Sequence, residues 1–185
     1  MLSIIHVDRI QDCLRSVAQV VNAQQKREVD FPRLVLEWLA TAEGILNDAR
    51  QPSLAQVAGL RSALLTALHG PRRVNGQSRR ALLEAAASEA LRKGQDVLAA
   101  TIESRTAQIG EAELMVSRVL AVAEVKGLLG AVPADLDHPA KLRFLIEAFK
   151  QDADTAGATV HFIGILGPVD ATVVLDRALG PRLVP

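Results

Sequence analysis

Few side chains in this sequence are placed to do chemistry. Its four histidines, His6, His69, His138 and His161, are scattered along the chain. None has a second His or a Glu three or four residues further on, so the helical metal-binding spacings are absent. His69 falls where a helix should end, a place that favours partial positive charge. His138, before a proline, falls at an expected N-cap position, and His161 lies in an apolar run; structural roles account for all four. The single thiol, Cys13, would need a base beside it to act as a nucleophile. His6 is about two helical turns away, beyond hydrogen-bond reach, and a buried thiol is the expectation.

Two carboxylate clusters remain. Asp135, Asp137 and His138 could hold a hard cation, but they lack the alternating ligands and central glycine of a calcium loop. A solvated turn with one helix cap explains them. Asp152 and Asp154 flank a helix end in the same way. There is no Gly-rich phosphate loop, no Gly-x-Ser-x-Gly and no Cys-x-x-Cys. No catalytic residue, metal site or cofactor is therefore expected, and the chain leans away from being an enzyme.

One local feature carries a functional expectation. Arg72, Arg73, Arg79 and Arg80 surround a turn, marked by Asn75-Gly76, that leads into a helix N-terminus. Guanidinium forks and helix N-termini both suit phosphate. The patch could hold nucleic-acid backbone, a phosphorylated partner or an acidic surface. No aromatic residue is interleaved with it, so stacking of single-stranded bases is unsupported. The competing account is a solvated loop whose arginines pair with carboxylates nearby.

The elements that must position these residues are helical. Half the chain is hydrophobic (49%), mostly Ala, Leu and Val, with no Tyr and 23% charged residues: a globular composition leaning all-α. Acidic and basic residues balance at 21 each, so no global field draws the chain to nucleic acid or anionic lipid. One cysteine forbids an internal disulfide and fits a reducing compartment. No signal peptide and no membrane-spanning segment is legible; the run 157–175, interrupted by His161, Gly167-Pro168 and Asp170, makes a poor span. A cytoplasmic protein is the expectation.

The organising stretch is Ser78 to Gly130. It contains no proline and reads as one very long helix, or two broken near Gly110. Its first half has a seam of Leu83, Ala87, Ala90, Gly94, Val97 and Thr101, with Leu91, Leu98 and Ile102 beside it. The small residues invite a close neighbour, a reason for Gly94 to sit where it costs up to ~1 kcal/mol relative to Ala. Residues 114–129 are apolar nearly all round, as in a helix central to its bundle or buried between copies. Leu114, Val119, Val122 and Leu129 are the residues expected there.

Before this stretch come three shorter helices. The first runs from about Asp8 to Gln25, with Ile10, Leu14, Val17 and Val21 on one face; residues 2–7 fit either an extended segment or its backward continuation. The second starts at Asp30 with Pro32 in its first turn. The third is bounded by a Ser53/Gln56 capping box and by Gly70-Pro71, with Val57, Leu60, Leu64 and Leu68 inward. After it, a helix starting at His138-Pro139 carries Leu142, Leu145, Ile146 and Phe149. Residues 159–179 fit two readings: a β-hairpin turned at 167–170, or a buried segment followed by a short helix.

The expected fold is thus mainly α: an antiparallel bundle of about five or six helices over 1–157, with a small C-terminal element, 158–185, packed on it and containing the β-hairpin if there is one. The expected function is that of a non-catalytic interaction or scaffold protein, assembling with itself or binding another protein through 78–130. The alternatives are a nucleic-acid or phosphate binder using the basic loop 72–80, and an enzyme or small-ligand protein with its site in the bundle core.

Overall fold

The computed structural model describes residues 2–26, 28–70, 73–74 and 77–180, with the backbone alone at 73, 74 and 77. The chain is mainly α and divides into two compact units, Met1–Ser104 and Arg105–Pro185. Among the described residues there are seven α-helices rather than five or six. They are α1 (Ile4–Gln25), α2 (Phe31–Asp48), α3 (Leu54–His69), α4 (Arg79–Val125), α5 (His138–Gln151), α6 (Ala156–Leu166) and α7 (Pro168–Leu179).

In the first unit α1 packs on α2 and α2 on α3. Helix α1 starts at Ile4, so residues 4–7 are its backward continuation. Its buried face is Ile10, Cys13, Val17 and Val20; Leu14 and Val21 lie at the edge, so the helix is turned slightly from the expected orientation. The Trp38 indole N–H of α2 donates to the Cys13 carbonyl at 2.8 Å, giving a buried polar tip its partner. Ser53 precedes α3 as expected but forms no side-chain cap. Its backbone is already helical (φ −63°, ψ −12°), and its hydroxyl lies 3.0 Å from that of Thr101 of α4, whose own proton goes to the Val97 carbonyl at 2.7 Å. Ser78 caps α4, accepting from the Ala81 N–H at 3.3 Å.

Helix α4 is a single helix; Gly110 does not break it. Its buried stripe in the first unit is Ala87, Ala90, Leu91, Leu98 and Ile102, and in the second Ile109, Ala112, Val116, Val119 and Ala123. The three- and four-residue spacing runs through 110 without a slip, and that uninterrupted register keeps the helix whole. Gly94 belongs to the stripe, and a Cβ there would come within 2.7 Å of the Trp38 ring. The close neighbour that the small residues call for is thus an indole. At the far end Gly127, with φ +70°, turns the chain out of the helix into a short 3₁₀ turn, Leu128–Ala131.

In the second unit α5 is capped by Asp137, not His138: the Asp137 carboxylate accepts from the Ala140 N–H at 2.7 Å. The β-hairpin expected within 159–175 does not form. Residues 159–166 lie in α6 and Pro168 begins α7, the two helices meeting at 118°. Gly167, with φ +84°, makes that corner, and Pro168 has no N–H to lose at a helix start. A helix wins because it satisfies its own backbone, whereas a lone hairpin leaves edges unpaired. The β-branched Thr159 is accommodated by donating to the Thr155 carbonyl at 2.8 Å. Elsewhere, Arg73–Val74 and Gln77–Ser78 form a two-residue antiparallel ladder. No single helix among the described residues is long and apolar enough to cross a membrane.

Candidate functional site

The basic patch is only partly assembled. Arg72 and the Asn75-Gly76 turn lie outside the described residues, and of Arg73 only the backbone is described. Arg79 and Arg80 open α4 and are both exposed. Arg79 donates to the Leu68 carbonyl, one of the terminal carbonyls of α3 that have no partner within the helix. Arg80 pairs with Glu84, one turn on, at 2.8 Å. These partners are the ones that a solvated structural loop would supply. Yet the two arginines also border a cleft of about 340 Å³, with Val29, Pro32 and Leu83 as its apolar wall and Glu84 beside them.

The residues expected to mark a central or intermolecular helix separate by face. Val119 is buried by its own chain, Val122 and Leu129 are half-buried, and Leu114 is 65% exposed. Beyond Leu114 the same outward face carries Arg118, Ala121 and Val125, at spacings of four, three and four, with Val125 90% exposed. Much of the apolar surface of 114–129 is therefore covered within the chain, and a narrow stripe is left.

The titratable groups lie apart. Cys13 is buried, and burial pushes its thiol up to about 11, so it stays protonated and unreactive at neutral pH. His6 bonds the Ser3 hydroxyl (2.7 Å), His69 the Leu65 carbonyl (2.8 Å) and His138 Asp176 (2.7 Å), while His161 stands 3.8 Å from Glu111. Lys126 sits between Asp152 and Asp154. Its hydrogen bond to Asp152 holds that carboxyl below the usual range, and the same bond raises the ammonium. Asp152 and Asp154 thus tie the α5–α6 connection to the end of α4. No group of three or more His, Cys, Asp or Glu that could hold a metal ion occurs among the described residues.

One ionic cluster escaped the sequence reading. Arg105 and Asp170 are 5% and 8% exposed and meet at 2.7 Å. Arg105 also donates to the carbonyls of Ile165 (3.2 Å) and Leu166 (3.0 Å) and to Gln108 (3.0 Å). One guanidinium thus closes the C-terminus of α6 and holds a carboxylate in the first turn of α7. The signal was present: 98, 102, 105, 109 and 112 share one stripe of α4, which puts Arg105 on the buried face. Asp170 stands in an otherwise apolar run.

No protein-family profile, no curated protein and no solved structure matches this chain.

Proposed function

We propose that this protein is a non-catalytic helical interaction protein that assembles with a second copy of itself through α4. The carrying observation is the outward stripe Leu114, Arg118, Ala121 and Val125, which the chain leaves uncovered. Its charges suit an antiparallel pairing. Glu111 and Arg118 lie on the same face, too far apart to pair within one helix. Two α4 helices crossing beside Leu114 bring Glu111 of each copy opposite Arg118 of the other. Leu114 and its symmetry mate then meet near the axis, as an isologous contact requires.

The expected result is a mass about twice the monomer's 19.8 kDa in sedimentation equilibrium at high concentration, dissociating on dilution. Leu114→Lys should abolish association without loss of helicity. Glu111→Arg and Arg118→Glu should each weaken it, and the double exchange should restore it. A monomer independent of concentration overturns the reading.

A second reading rests on the cleft beside Arg79 and Arg80: a site for a molecule that joins a phosphate or other anionic group, nucleic-acid backbone included, to an apolar moiety. Two exposed guanidiniums at a helix N-terminus and an apolar wall within reach support it. Binding of such probes should weaken about tenfold in Arg79→Ala/Arg80→Ala and fall with added salt. Salt-insensitive binding, or none, sinks it.

A further inference from the structure

Helices α5 and α7 leave a groove between them. Two cavities, of about 350 and 290 Å³, lie along it and share Arg143 and Thr172 as wall residues. The α5 wall runs from Pro139 through Leu142 and Ile146 to Lys150, at three- and four-residue spacing. The α7 wall brings Val169 and Val173. From 139 to 150 the groove follows about 16 Å of helix, the length of three turns. Val169, 76% exposed, stands on its rim.

The charges along the groove are unevenly satisfied. Glu147 is held by Lys150 at 2.8 Å and Asp176 by His138 at 2.7 Å. Arg143, exposed and midway along the groove, has no hydrogen-bond or ion-pair partner among the described residues. An apolar trough three turns long with one unmatched cation at its middle complements a helix that carries apolar side chains at three- and four-residue spacing and one carboxylate in its central turn.

We propose that the α5–α7 groove docks such an acidic amphipathic helix from a partner protein. Apolar side chains on either side of its carboxylate fill the two cavities, and the carboxylate pairs with Arg143, which fixes the register of docking. This surface is separate from the outward stripe of α4, and the proposal does not depend on self-association.

The test uses the full chain and a fluorescein-labelled helical peptide of about 14 residues. The peptide has leucines at three- and four-residue spacing and one central Glu, and is compared with versions carrying Gln or Lys there. Anisotropy titrations should show saturable binding of the Glu peptide and affinity weaker by about tenfold or more for the Lys peptide. Arg143→Glu, at an exposed position, should reverse that preference while circular dichroism shows the helices retained. Leu114→Lys should leave peptide binding unchanged even where it abolishes the dimer. Equal affinity for the Glu and Lys peptides, indifference to Arg143→Glu, or no saturable binding overturns the proposal. So does self-association of the chain that Arg143→Glu abolishes, because the occupant is then a second copy.

Discussion

Arg105→Met is expected to lower stability by about 3–5 kcal/mol, the range for removing one member of a buried ion pair. The change leaves the Asp170 carboxylate inside the second unit without its guanidinium. It also takes donors from the carbonyls of Ile165 and Leu166, at the C-terminal end of α6, which have no partner within the helix's own ladder. The double variant Arg105→Met/Asp170→Leu removes both charges, and such replacements are often neutral. Here it should recover only part of the loss, because the two carbonyls still lack Arg105, and an unsatisfied buried acceptor costs about 1–3 kcal/mol. Urea denaturation followed by circular dichroism measures both changes. Hydrogen exchange should locate the loss in residues 156–179, where the clasp acts. A cost below about 1 kcal/mol for Arg105→Met, or full recovery in the double variant, would show that the guanidinium is dispensable to the α6–α7 corner.

That corner also marks where local sequence logic stops. That 78–130 is helical was legible from its lack of proline and its three- and four-residue seams. Whether it breaks near Gly110 was not, because the stripe that runs from Ala87 to Ala123 passes through the charged Arg105. The proline-led start of α5 was legible from the chain alone. The segment 159–166 was not. Its Thr, Val, Phe and Ile suit a pleated strand, and its helix is favoured by what surrounds it: Thr155 tied to the Phe149 carbonyl of α5, Thr159 bonding back one turn to Thr155, and Arg105 taking the terminal carbonyls. Ser53 shows the same limit in reverse. It precedes α3 with Gln56 in place, yet its backbone is already helical and its hydroxyl pairs with that of Thr101, 48 residues away. The candidate sites divide similarly. The arginines at the start of α4 could be read from their clustering, but the apolar cleft beside them joins Val29 and Pro32 to Leu83, which spacing along the chain does not reveal. The α5–α7 groove is likewise a product of packing: Arg143 is an unremarkable residue until its neighbours prove to be paired and it does not.

Gly94→Ala is expected to destabilise the first unit, although alanine is the better helix former. A methyl at 94 would meet Trp38 Cζ3 at 2.7 Å, Leu39 Cδ2 at 3.1 Å and Trp38 Cη2 at 3.3 Å. Leu39 can yield by a small rotation. The indole cannot move freely, since its N–H is bound to the Cys13 carbonyl on α1, and retreat from α4 would strain that bond. Overpacking a close contact costs about 1–3 kcal/mol, against an intrinsic helix gain of up to ~1 kcal/mol. The net effect should be a loss of up to about 2 kcal/mol, the amount by which sterics exceed propensity. Trp38 is the sole tryptophan, so its fluorescence reports the displacement directly. Trp38→Phe provides the control. Phenylalanine lacks the distal ring atoms that approach Gly94, so in that background Gly94→Ala should cost little or become favourable. The coupling energy of the double-mutant cycle then measures the indole–glycine contact itself. Additive effects of the two changes would mean that the indole does not limit the approach of α4, and the small-residue seam from Ala87 to Gly94 would need another cause.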